Sequence, residues 1–110
     1  MKILITGEND RLSLQVGIIK ALSEGKEYTI DISSVEQAVI ITTDKGPFYD
    51  DMALALRADD GNAVFILSSH PDYETFLFDS LGKALEIDYN AIIAASSCTE
   101  NKIFVIYNRD

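Results

Sequence analysis

Met52-Ala53-Leu54-Ala55-Leu56-Arg57-Ala58-Asp59-Asp60-Gly61-Asn62-Ala63-Val64-Phe65-Ile66-Leu67 is the stretch from which the fold is read. Met52, Leu54 and Leu56 alternate with Ala53, Ala55 and Arg57, the period of two expected of a strand with one buried face. Asp59-Asp60-Gly61-Asn62 groups residues that tolerate positive φ, and Ala63–Leu67 returns as an apolar strand, so the whole reads as a β-hairpin. The period then changes. Ser69-His70-Pro71-Asp72 sets proline and an acid where a helix begins, and Tyr73, Phe76, Leu77, Leu81, Ala84 and Leu85 share one face at helical spacing. Asp88 is placed to cap a second, shorter helix with Tyr89, Ile92 and Ile93 inward. Ser96-Ser97-Cys98-Thr99-Glu100-Asn101 ends it. Ile103–Tyr107 is a continuous apolar run, which predicts burial on both faces and so an interior strand.

Toward the N-terminus, Ile3 and Ile5 alternate with Lys2, Leu4 and Thr6 ahead of the Gly7-Glu8-Asn9-Asp10 cluster. Leu12, Leu14 and Val16 alternate with Arg11, Ser13 and Gln15, which favours an N-terminal hairpin. A helix from Leu12 to Glu24, stopped by Gly25, is the competing reading; the strand is preferred for Arg11–Val16, with a helical turn allowed after it. Tyr28, Ile30 and Ile32 mark a further strand, Ser33-Ser34 a break, and Ala38–Ile41 a β-branched strand. The fold class expected is α+β: an antiparallel sheet of about five to seven strands, two C-terminal helices on one face, and a final interior strand.

The 110 residues suit a single globular domain with one core, and the apolar fraction of 47% argues against disorder. Cys98 is the lone cysteine, so no internal disulfide forms and a reducing compartment is expected. The apolar runs are far shorter than the roughly 20 residues of a membrane span, and Met1–Gly7 is too short for a signal-peptide core. The expected location is cytoplasmic, with no membrane association. Charge is strongly segregated: between Asp31 and Asp88 stand twelve acids against Lys45, Arg57 and Lys83, so the whole net charge of −9 falls in the middle of the chain. Such a field repels phosphate backbones and attracts basic partners. With no basic cluster anywhere, nucleic-acid binding is not expected.

Two segments, Ile41-Thr42-Thr43-Asp44-Lys45-Gly46-Pro47-Phe48 and Tyr89-Asn90-Ala91-Ile92-Ile93-Ala94-Ala95-Ser96-Ser97-Cys98-Thr99-Glu100-Asn101, are distinctive together. With Asp50-Asp51 and the closing Phe104–Tyr107, they resemble a family of small uncharacterised bacterial cytoplasmic proteins sharing a TTD-x-GPF segment and a C-terminal S-x-TEN segment. The resemblance spans about Val35 to Tyr107. It implies a cytoplasmic location and carries no activity.

The candidates for chemistry each have a plainer reading. Cys98 and His70 are the residues able to form a thiolate–imidazole pair, but Cys98 falls near a helix C-terminus, where the dipole disfavours a thiolate. A half-buried structural cysteine, and a histidine that caps or opens its helix, are preferred. Asp44, Asp50 and Asp51, joined by Asp59-Asp60 if that turn folds over the loop, offer oxygen ligands suited to calcium or magnesium, though the spacing is not that of an EF-hand, and a solvated acidic loop is preferred. Gly7 has no second glycine at phosphate-loop spacing, so no cofactor is expected. Ser96, Ser97, Thr99 and Asn101 either line a small-molecule site or satisfy free helix carbonyls; the second is favoured. One histidine and no tryptophan in a chain this short disfavour an independent enzyme.

The leading functional expectation is a non-enzymatic acidic protein of inhibitor or immunity type that covers a basic protein surface. Its expected contact residues are Asp44, Phe48, Tyr49, Asp50 and Asp51, aromatic anchors set among steering charges. The alternative is a small-ligand or divalent-metal module using the Asp44–Asp51 loop. Phe78, at the edge of the apolar helix face, is a candidate contributor to a homodimer.

Overall fold

In the computed structural model, which describes residues 1–44 and 52–109, the strands in chain order are β1 (Lys2–Ile5), β2 (Arg11–Gln15), β3 (Ile18–Ser23), β4 (Lys26–Asp31), β5 (Val35–Thr42), β6 (Met52–Ala58), β7 (Ala63–Leu67) and β8 (Lys102–Asn108). Ile32–Ser34 forms a 3-10 turn, helix α1 runs over residues 73–84, and helix α2 spans Tyr89–Ser96. The chain is α+β. Five strands form a mixed sheet in the order β1-β7-β6-β5-β8, antiparallel except for β1 beside β7, and β2-β3-β4 form a second, antiparallel sheet. No described helix is long and apolar enough to cross a membrane.

The β6–β7 hairpin folds as its alternation requires. Gly61 takes φ +88°, and the Asp60 carboxylate accepts from the Asn62 amide at 2.9 Å, closing the turn. Ladder pairing aligns Ile3, Val64, Leu56 and Ala38 in one row, and Ile5, Ile66, Leu54 and Ile40 in the next. All eight side chains are buried, and this inner face meets Phe76, Leu77 and Leu81 of α1 and Ile92 and Ala95 of α2 in one core. Leu12, Ile19, Ala21 and Ile30 bring the three-stranded sheet into the same core, with β3 lying against β1 and β2 against α1. The middle of α1, Thr75–Leu81, is π-helical, with the Gly82 amide reaching back to the Leu77 carbonyl. That wider turn keeps Phe76, Leu77 and Leu81 all inward.

Several sequence expectations change. Residues 3–16 do form two strands, but they do not pair as a hairpin: β1 joins β7 in parallel, and β2 pairs with β3. The segment after Val16 is strand rather than helical turn, because Val16-Gly17 and Glu24-Gly25 both adopt positive φ, as two-residue hairpin turns demand. The main sheet has five strands, within the five to seven expected, but among the described residues three further strands form a second sheet. The final strand is an edge strand, not an interior one. Ile103 and Val105 are 66% and 45% exposed, so the apolar run at β8 reflects an apolar outer face rather than burial on both sides. On α2, Ile92 is inward, but Tyr89 and Ile93 face outward, as does Ala84 at the end of α1.

Two of the three rows on that outer face are apolar. Leu4, Phe65, Ala55, Val39 and Val105 stand opposite one another through the five strands, and Leu67, Ala53, Ile41 and Ile103 form a parallel row. A third row carries Lys2, Ala63, Arg57, Gln37 and Asn108.

The Val16 turn generates a stability prediction. Val16 is fully exposed at φ +52°, where a β-branched side chain is strained and contributes no packing. Val16→Asn is expected to raise unfolding stability by about 1 kcal/mol, and so the melting temperature by roughly 4–8 °C. Thermal melts followed by circular dichroism check this; an unchanged or lower midpoint would show that Val16 is not strained.

Candidate functional site

The polar groups with chemical potential gather at two places at the same end of the five-stranded sheet. At the β1–β7 side, the Gly7–Asp10 loop, the Glu24 turn and the Ser69–Asp72 segment meet around Asp10 and His70. The Asp10 carboxylate accepts from the Gly7 amide at 2.8 Å, the Thr6 amide at 3.1 Å and the Glu24 amide at 3.1 Å. The approach is close: a Cβ on Gly7 would lie 3.2 Å from Asp10 Oδ2. His70 is buried, and its Nε2 faces the carbonyls of Asp10 at 2.9 Å and Gly7 at 3.2 Å. Its Nδ1 accepts from the Asp72 amide at 3.1 Å, so a proton on Nε2 and a lone pair on Nδ1 satisfy every partner. Asp72 in turn receives Arg11 through Nε at 2.9 Å and Nη2 at 3.1 Å, and the Leu12 amide at 2.9 Å. The result is a latch that joins β1, β2, the β3–β4 turn and the start of α1.

The same contacts set the ionisation of these groups. The backbone amides of Gly7, Glu24 and Thr6 hold the Asp10 carboxyl below its ordinary range against a smaller penalty from burial. At Asp72, burial pushes the carboxyl up, and the Arg11 fork, the Leu12 amide and the Arg11 charge together outweigh it, so it too sits low. Asp31 is lowered by the amide and hydroxyl of Ser33, which it caps. A hollow of about 550 Å³ adjoins the latch, lined by Leu4, Thr6–Asp10, Glu24 and Gly25. Both oxygens of Asp10 are already engaged by amides, so the hollow has no free carboxylate from the latch.

At the β5–β8 side, Thr42 is buried and donates to the Glu100 carbonyl at 2.7 Å while accepting from the Lys102 amide at 3.2 Å. Cys98 sits half-buried beside it, with its sulfur 3.6 Å from Thr42 Oγ1 and from the Glu100 carbonyl. The strands β6 and β5 lie between the β7 and β8 sides of the sheet, and both ring nitrogens of His70 are committed to the latch. The structure therefore does not bring Cys98 and His70 into a thiolate–imidazole pair. The serine segment is used as helix termini use such residues: Ser96 Oγ donates to the Ile92 carbonyl at 2.9 Å and Ser97 Oγ to the Ala94 carbonyl at 3.2 Å.

Of the expected contact residues, Asp44 is exposed just beyond β5, its amide donating to Asn101 Oδ1 at 3.2 Å, so the two distinctive sequence segments do share one end of the sheet. Phe48, Tyr49, Asp50 and Asp51 lie outside the described residues. A shallow groove of about 510 Å³ lies alongside, lined by Ile41–Thr43 and Asn101–Ile103. Among the described residues no group of three or more histidine, cysteine or acidic side chains is arranged to hold a metal ion.

The helix layer presents a different kind of surface, which the helical spacing in the sequence assigns mostly to the core. Phe78 on α1 and Tyr89 and Ile93 on α2 are exposed. Tyr89 leans its hydroxyl over Gly82, one turn beyond Phe78, and Ile93 follows Tyr89 by one turn, so the three span both helices. Glu74, Asp79, Glu86 and Asp88, in the same stretch of chain, are all exposed too, against the single cation Lys83 in residues 73–96. Only the four-residue spacing of Tyr89 and Ile93, opposite to that of Ile92 and Ala95, hints at this outward face.

No family model, no curated protein and no solved structure matches the chain.

The latch sets two expectations for stability. Asp10 and Asp72 have folded-state values below the unfolded carboxylate value of about 3.9, so their stabilisation is complete above it and is lost as pH falls toward the folded value. Melting temperature is expected to hold steady from neutrality to about pH 5 and to drop below that. Asp10→Asn should melt lower at neutral pH and show a shallower acid decline; an identical acid profile would exclude Asp10 from the latch. Second, His70→Ala is expected to cost about 2–3 kcal/mol by urea unfolding, since it strands buried groups, whereas Cys98→Ser should cost less than about 1 kcal/mol. Equal losses from the two would contradict the division of roles.

Proposed function

We propose that this chain is a non-enzymatic interaction protein of inhibitor or immunity type, acting in the bacterial cytoplasm, that covers a basic surface on a partner protein. The observation that carries the reading is the helix layer: Phe78, Tyr89 and Ile93 exposed among Glu74, Asp79, Glu86 and Asp88. Acids alone would serve solubility. Aromatic and aliphatic side chains left in water beside them serve no such purpose, and that mixture is what binding surfaces use, with apolar anchors for affinity and charges for steering. The groups that could have supported catalysis are otherwise engaged. His70, Asp10 and Asp72 hold the latch, and Cys98 has no cation or imidazole among the contacts it makes. Asp44, Phe48, Tyr49, Asp50 and Asp51 belong to the same proposal on sequence grounds, as a second acidic and aromatic contact.

Affinity capture from a lysate of the source cells tests it, run at low salt and at about 0.5 M salt, where screening shortens to a few ångströms. A stoichiometric basic protein is expected at low salt and lost at high salt. The double variant Phe78→Ala, Ile93→Ala should keep its fold and weaken that complex at least ~10-fold. No stoichiometric partner at either salt would reject the proposal.

A further inference from the structure

We propose that the outer face of the five-stranded sheet is the interface of a homodimer, in which two copies pack sheet against sheet. This rests on a different surface from the helix layer and does not depend on it.

The first support is the continuity of the face. Leu4, Phe65, Val39 and Val105 lie in one register-matched row running from the β1 edge to the β8 edge, with Ile41 and Ile103 in the row beside it. Among the described residues no strand or helix packs over them, although the inner face is covered by two helices and a second sheet. A sheet with two apolar faces is normally covered on both.

The second support is charge. In a chain of net charge −9, no outward position of the four paired ladders is an acid, and Lys2 and Arg57 stand at one end. Glu36, in the bulge at the corner of the face, is neutralised by Arg57 at 3.4 Å and Arg109 at 3.5 Å. A basic partner has no reason to prefer this face over the acidic helices. A second copy does. Stacking outer face on outer face places the two helix layers on opposite sides of a four-layer assembly, with layers spaced roughly 10 Å apart. The acidic surfaces then stand roughly 30 Å from each other, several screening lengths at physiological salt.

The third support is area. Five strands about 4.8 Å apart, presenting three rows of outward residues, give a face of roughly 500 Å² per copy, hence roughly 1,000 Å² in the pair. That meets the roughly 1,000 Å² that a biological interface needs, below the standard size, and fits a weak dimer of about micromolar strength. The two acidic helix layers would then point away from each other, making the dimer bivalent toward a basic partner.

Sedimentation equilibrium of the full chain, from about 1 to 300 µM in physiological salt, tests this. The mass is expected to rise from 12.2 kDa toward twice that value over the range. Val39→Lys, in the middle row beside the central strand, should keep the circular dichroism spectrum and stay monomeric throughout, whereas Phe78→Ala should dimerise like the parent. Should Val39→Lys fail to fold, Leu4→Lys at the half-exposed edge of the same row carries the same expectation. A parent that stays monomeric at about 300 µM overturns the proposal and leaves the face to a different partner. A dimer that survives the lysine variant, as pairing of β8 edges would, also overturns it, and so does a dimer lost with Phe78→Ala.

Discussion

The whole molecule depends on covering one face of a five-stranded sheet. Ile3, Ile5, Val64, Ile66, Leu54, Leu56, Ala38 and Ile40 form a flat apolar surface wider than a single helix can shield. Three elements share the covering, with the β2-β3-β4 sheet over the β1 end, α1 in the middle and α2 toward β5 and β8. Burial supplies the driving force, but it does not fix how the small sheet is oriented. The Asp10–His70–Asp72 latch does that. Its hydrogen bonds link residues some 60 positions apart, and every donor and acceptor in it has a partner.

This division fixes what the ionisable groups of the latch are used for. A general base or nucleophile needs a free lone pair facing a space where substrate can sit. Asp10 directs both oxygens at backbone amides, and His70 uses both ring nitrogens inside the fold. Glu74, Asp79 and Glu86 stand instead exposed in the stretch that carries α1 and α2, as do apolar side chains that the core did not require. The protein thus separates a sheet face with two apolar rows and no acid in its ladders from an acidic helical one.

Much of this is legible in the chain. The alternation at Met52–Leu67, the change to helical spacing after His70, the Asp88 cap and the carbonyl-binding serines at 96–97 all rest on local rules, and each holds. What is not legible is non-local. The partner of β1 is a strand about sixty residues away, and nothing in Lys2–Ile5 names it. Ile18–Ser23 carries a pattern compatible with helix or strand, and only the paired positive-φ turns on either side decide. Ile103–Tyr107 reads as interior because apolar residues on both faces normally mean burial on both; here one face remains outward. At the latch, the Gly7–Asp10 half is a local turn visible in sequence, while the Glu24 and Arg11 halves come from tertiary packing. The outward helix face is masked by the aromatic content of α1 and α2, which suits a core equally well.

The measurement that bears most directly on the separation of faces is an amide chemical-shift titration of the labelled protein with a basic protein that it captures at low salt. The shifts are expected to concentrate in residues 73–96, around Phe78, Tyr89 and Ile93, and to fade as salt is raised. Perturbations centred instead on the Asp10–His70 latch or the β2–β3 and β3–β4 turns, and indifferent to salt, would contradict a binding role for the acidic helix layer.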